Sequence, residues 1–155
     1  MQNKQYGEAM QAFNTLHSDY PGLAGPLTDL GIIYAQQKKR DEAIDALSRA
    51  VNADPANAVA QNWLGILYRD GGDYRRAEDA YRKAIAAQGN YAFAHYNLAV
   101  LYDNYLHQPQ DALAHYREYL RLSGGEDLKV QAWVKALEAQ TATDTQTQTV
   151  PGENK

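Results

Sequence analysis

The sequence contains no cysteine. That excludes disulfides and thiolate metal sites, and it removes the strongest common nucleophile. Serine is scarce: Ser18, Ser48 and Ser123 are the whole supply, and none sits in the Gly-x-Ser-x-Gly turn that presents a catalytic hydroxyl. The glycines form no phosphate cradle, since Gly71-Gly72 reads as a turn between two helices. The four histidines, His17, His95, His107 and His115, are scattered along the chain, and a proline separates the last two. That spacing is poor for shared metal ligation. There is no excess of cations either: 15 Lys and Arg stand against 19 Asp and Glu, for a net charge of −4. A nucleic-acid footprint would be basic, so nucleic acid is not an expected partner. No apolar run approaches the length of a membrane span, and no signal peptide is readable. The expectation is a protein that is not an enzyme and holds no cofactor and no metal.

What is present is a repeat. At 155 residues the chain is one domain's worth, and 45% hydrophobic with 22% charged residues argues for a folded one. Leu30-Gly31-x-x-Tyr34 returns as Leu64-Gly65-x-x-Tyr68 and as Leu98-Ala99-x-x-Tyr102, each 34 residues on. Ala43, Leu47, Ala50 and Pro55 become Ala77, Tyr81, Ala84 and Gly89, and Ala9, Phe13, Leu16 and Pro21 sit one period earlier. A fixed period of this length with set apolar offsets signals a helical solenoid.

Apolar spacing places helices at 4–18, 26–37, 41–53, 56–70, 74–87, 91–105, 109–122 and 126–139. Tyr20-Pro21-Gly22 reads as a stop, Asp54-Pro55 as a cap with proline at the first helical position, Asn90 as the next cap, and Ser123 to Glu126 as a capping box. Asp41, Glu42, Glu78 and Asp79 near helix starts, and Lys38-Lys39 at a helix end, suit the helix dipole and solvent. Gly31, Gly65 and Ala99 on first helices, and Ala9, Ala43, Ala77 and Ala112 on second helices, are small enough to let paired backbones approach. From Tyr102 to Ala112 the spacing is one residue longer than in its counterparts, and Tyr119 replaces Ala50 and Ala84, so the last helix is expected to dock differently. Leu128, Val130, Trp133, Val134 and Leu137 give that helix the stripe of a cap. Residues 140–155 are polar and low in complexity, with threonine at alternate positions from Thr141 to Thr149, and read as a disordered tail.

The repeated residues resemble the tetratricopeptide repeat family, which carries a large residue, Leu-Gly, Tyr, Ala, an aromatic, Ala and Pro in these slots. The resemblance covers residues 3–138. It implies an all-α, right-handed α-solenoid of about three and a half helix pairs with a C-terminal capping helix. Residues 1–139 would form the solenoid and 140–155 the tail. Residues 4–18 match only a second helix, so the chain is expected to begin within a repeat, with any anchor or targeting segment upstream.

The family lines its concave face with first helices. The resemblance therefore implies a partner-binding groove of Thr28, Ile32, Gln36, Val59, Asn62, Trp63, Ile66, Arg69, Phe93, Tyr96, Asn97, Val100 and Asn104. The resemblance counts Asp70 and Asp103 among the inward positions as well. Ile66 and Val100 serve equally well as packing between helices. Trp63 and Tyr96 beside Asn62 and Asn97 fit an interface, where rings supply area and amides meet a peptide backbone; Trp133 fits the core. Family members that grip acidic chaperone tails use a clamp of Lys, Asn, Asn, Lys and Arg. The corresponding residues here are Thr28, Ile32, Trp63, Phe93 and Asn97, so that specificity is not expected.

The implied partner is another protein, held as a peptide or helical segment. The alternative is self-association through the stripe Tyr6, Met10 and Phe13 or through the tail. The segment from Asn97 to Leu122, followed by Val130 to Gln140, also resembles bacterial envelope proteins of this family, many of them lipoproteins or pilus and secretion factors. That likeness implies a periplasmic or envelope-tethered setting, with cytoplasm as the alternative and membrane contact only through an upstream anchor.

Overall fold

The computed structural model describes residues 2–19 and 23–148. Their elements are α1 (Gln2–Asp19), α2 (Ala24–Gln36), α3 (Arg40–Ala53), α4 (Ala58–Asp70), α5 (Tyr74–Ala87), α6 (Ala92–Asn104), α7 (Pro109–Leu122) and α8 (Leu128–Gln148). The stop at Tyr20-Pro21-Gly22, the side chains of Tyr6, Phe13 and Leu16, and residues 149–155 lie outside the described residues.

The helices pair as α2 with α3, α4 with α5 and α6 with α7, and successive pairs stack in chain order. Within each pair a small residue accepts a large one. A Cβ added at Gly31 would lie 2.5 Å from Leu47 Cγ, and one at Gly65 would lie 2.4 Å from Tyr81 Cε1. Ala99 is fully buried in the next pair, in one core with Tyr102 and Tyr116. The absence of side-chain bulk is what lets the backbones close to this distance.

Each pair turns on one residue in the left-handed region: Lys38 (φ 61°), Gly72 (φ 81°) and His107 (φ 53°). The turn then closes on a tyrosine carbonyl, which accepts from Lys39 N, Asp73 N or Gln108 N at 2.8–2.9 Å. The extra residue of the third unit is absorbed inside this turn, so the pair that follows keeps its register. Pro109 then starts α7, where its missing N–H costs nothing.

The stack is asymmetric. First helices α2, α4 and α6 touch one another, whereas among the described residues second helices α3, α5 and α7 do not. The array therefore curves with α2, α4 and α6 on the inside. Furrows open between the outer helices.

Several helix ends differ from the sequence reading. α4 begins at Ala58: Asp54 Oδ1 accepts from Ala56 N in a short turn at 3.0 Å, and Asn57 caps the helix by accepting from Ala60 N at 2.9 Å. Tyr91, not Asn90, occupies the cap position of α6. α8 is capped by Asp127, which accepts from Val130 N at 3.1 Å, so the Ser123–Glu126 box is not used. The same Asp127 carboxylate accepts from the Tyr119 hydroxyl at 3.1 Å, which ties the docking of α8 to the enlarged residue on α7.

The expected end of α8 near residue 139 is also corrected, because the helix continues to Gln148. Among the described residues the alternating threonines, Thr141 to Thr147, lie within this helix. Thr141, Thr143 and Thr145 each donate a hydroxyl to the carbonyl four residues back, at 2.9 Å. That local bond compensates a β-branched residue inside a helix.

Candidate functional site

The inner face brings five of the expected groove residues together. Asn62, Trp63 and Ile66 of α4 face Phe93 and Asn97 of α6 across a pocket of about 330 Å³. Tyr91 completes it from the turn before α6. Sequence reasoning missed Tyr91, although an aromatic two residues before Phe93 at a helix start was the available signal. The Tyr91 and Phe93 rings meet edge to face, 6.3 Å apart.

The polar wall is a ladder. Asn97 Nδ2 donates to Asn62 Oδ1 at 3.0 Å, and Asn62 is hydrogen-bonded to the Tyr91 hydroxyl. Burial raises the Tyr91 pKa, against the opposing effect of that bond, so the phenol stays neutral and usable as a hydrogen-bond partner. Asn62 itself is buried, so the ladder presents Asn97 and Tyr91 rather than Asn62. None of the six lining residues is charged. Phe93 is 61% exposed and Val59 38%.

The remaining expected residues are placed otherwise. Thr28 is buried: its hydroxyl donates to Ala24 O and accepts from Asn57 Nδ2, both at 2.8 Å, so it joins α2 to the start of α4. Ile32 is half-buried on α2 and Gln36 is exposed at its end. Arg69 is held by its neighbour, two of its nitrogens donating to Asp70 Oδ1 at 3.0–3.1 Å. Val100 packs half-buried on the core and Asn104 is exposed at the end of α6. Asp103 accepts from the Tyr116 hydroxyl at 3.4 Å.

Tyr96 belongs with Trp133. Their rings stack at 6.4 Å, and Tyr119 and Tyr116 lie 5.2 and 6.3 Å from Tyr96. Lys129 covers the Trp133 ring at 4.8 Å. This aromatic cluster fastens α8 to the last pair, so Tyr96 contributes to docking the cap as well as to the inner face.

Two histidines remote in sequence also meet. His95 Nδ1 lies 3.0 Å from His115 Nδ1, and His95 Nε2 lies 3.0 Å from Gly89 O. A carbonyl only accepts, so Nε2 carries the proton; in neutral His95 the Nδ1 then accepts from His115. Among the described residues no group of three or more His, Cys, Asp or Glu could hold a metal.

A tetratricopeptide repeat family model matches residues 28–92 and again 64–127. Among solved structures, a crystal structure of MamA protein aligns with a TM-score of 0.77 at 23% identity, over 91% of this chain and 76% of that one. The first TPR of Spaghetti (RPAP3), bound to the HSP90 peptide SRMEEVD, aligns with a TM-score of 0.70 at 24% identity, over 77% and 93%. The first TPR domain of human RPAP3 in an NMR structure aligns with a TM-score of 0.70 at 24% identity, over 81% and 98%. At these identities the likeness speaks to fold alone. No curated protein matches the chain.

Proposed function

The chain belongs to the tetratricopeptide repeat family, and from that premise we propose that it is a non-enzymatic scaffold whose inner groove binds a peptide or helical segment of another protein. The observation that carries this reading is the uncharged pocket of Asn62, Trp63, Ile66, Tyr91, Phe93 and Asn97 with Phe93 held open to solvent. Rings of this kind supply area at low entropic cost, and the Asn97 amide offers a partner to a main chain. The HSP90 peptide of the RPAP3 structure is acidic at its end. Here no cation lines the pocket, which favours an apolar anchor over a carboxylate.

The envelope likeness of the α6–α8 sequence supports assembly of a bacterial envelope complex as the setting. The test is partner capture from the source cell with wild type and with Trp63→Ala and Phe93→Ala side by side. A partner retained by wild type and lost by both variants, with helical circular dichroism unchanged, supports the groove. Equal retention by all three removes it.

A further inference from the structure

Charge on this molecule is sorted by face. The inner helices α2, α4 and α6 carry no lysine, and Arg69 is their one arginine, against Asp29, Asp70 and Asp103. Every other lysine and arginine of the described residues lies on α1, α3, α5, α7 or α8, or in the turns between helices. Arg69 is spent on Asp70, to which two of its nitrogens donate at 3.0–3.1 Å. His95 of α6 is turned away from this face, bound to Gly89 O and to His115 of the outer helix α7. At the α8 end, Lys129 is held over the Trp133 ring at 4.8 Å. Asp29 and Asp103 are left uncompensated.

Both stand beside the pocket. Asp29, Trp63 and Asn97 occupy one position of the repeat. Trp63 and Asn97 line the pocket, so Asp29 continues their row onto α2, where it is exposed. Neighbouring helices pack about 8–10 Å apart, which sets its distance from Trp63. Asp103 lies beyond Asn97 on α6, about 9 Å along the axis at about 1.5 Å per residue. Its carboxylate accepts from the Tyr116 hydroxyl at 3.4 Å, a bond to a neutral group that leaves the charge in place. Among the described residues neither carboxylate has an ion-pair partner. As members of one repeat the inner helices run the same way, so their electronegative C-terminal ends gather at one edge, beside Asp70 and Asp103.

We infer that the inner groove selects a cationic segment, one that seats a large uncharged side chain in the pocket and carries a lysine or arginine about 10 Å away, over Asp29 or Asp103. The inference rests on the groove reading above and names the chemistry of the partner within it. The pocket of about 330 Å³ has no charged wall, so it takes the apolar anchor. The carboxylates outside it steer the segment and fix its register, which is what charge at the edge of an interface does best. An acidic segment would meet two unpaired carboxylates and the negative ends of three helix dipoles, and is rejected.

The experiment selects random dodecapeptides displayed on phage against the full chain, then measures the enriched peptides by fluorescence anisotropy. Enriched sequences should combine a large apolar residue with lysine or arginine and be depleted of aspartate and glutamate. Their binding should be lost in Phe93→Ala and weakened about fivefold when Asp29→Asn and Asp103→Asn are combined. Asparagine keeps an oxygen that can accept from Tyr116, so the exchange removes charge and retains the bond. Asp29→Asn alone, at an exposed residue, should weaken binding about twofold. Uncharged or acidic sequences whose binding Phe93→Ala abolishes overturn the inference and leave the groove standing. Cationic sequences bound equally by wild type and both aspartate variants overturn it too. No enrichment, or binding that Phe93→Ala retains, removes the groove and this inference together.

Discussion

The Tyr81 ring lies where a side chain on Gly65 would be, 2.4 Å from the position of its missing Cβ. Tyr81 is fully buried, so the ring has no solvent to swing into. Burial also raises its pKa, against the pull of Arg69, so it packs as a neutral phenol. Gly65→Ala gains helix propensity of up to about 1 kcal/mol but must displace the ring. Overpacking costs about 1–3 kcal/mol, so a net loss of about 1 kcal/mol is expected in urea unfolding. Gly25→Ala, with nothing within 4 Å of its Cβ, serves as the control and should lose nothing.

Arg40 at the start of α3 donates from two nitrogens to Leu67 O near the end of α4, at 3.1–3.2 Å. The guanidinium adds to a carbonyl that also accepts from Gly71 N at 3.1 Å, and it meets the negative end of the helix dipole. Arg40→Ala should cost about 1–2 kcal/mol, and Arg40→Lys should recover only part, because a point charge cannot place two donors. Thermal unfolding of the two variants checks this.

The His95–His115 pair makes stability depend on pH. Burial, chiefly, and the neighbouring His95 lower the His115 pKa; Asp111 and Glu118 oppose this and Arg82 reinforces it. The folded state thus resists a proton that the unfolded chain accepts with a pKa of about 6.5. Above that value there is no difference. As pH falls below it, the unfolded state binds more protons and stability is lost. Tm should be level from about pH 8 to 7 and fall below about pH 6.5. His115→Asn should flatten that slope.

Tyr96 and Phe93 should separate docking of the cap from binding of a partner. Tyr96→Ala breaks the stack with Trp133 and should cost about 2 kcal/mol with loss of near-ultraviolet signal. Phe93→Ala removes an exposed ring and should leave Tm within about 0.5 kcal/mol of wild type. If Phe93→Ala proves as destabilising as Tyr96→Ala, the ring is structural.

The helix pairing was legible because Gly31, Gly65 and Ala99 recur at one spacing, and spacing is a property of sequence. Helix starts were less so. Asn57 and Asp127 took the caps from Asp54 and Ser123, since several capping residues compete within three positions and tertiary packing selects among them. Five of the six residues that line the inner pocket, Asn62, Trp63, Ile66, Phe93 and Asn97, were visible. Tyr91 was not, because a turn residue has no helical phase to place it. Thr28 was placed in the groove by the family resemblance, and its bond to Asn57 Nδ2 shows it spent on packing. The meeting of His95 with His115 depends on what stands across an interface, and no periodicity encodes that.

The most direct measurement replaces Phe93 with a photo-crosslinking p-benzoylphenylalanine and irradiates the protein in its source cell, with the same replacement at Leu128, which is 76% exposed away from the pocket, as the reference. A discrete adduct with one partner protein from position 93, absent from position 128 and suppressed by Trp63→Ala, is the predicted result. Adducts of equal yield from both positions, or none from position 93, would contradict a groove built to hold another chain.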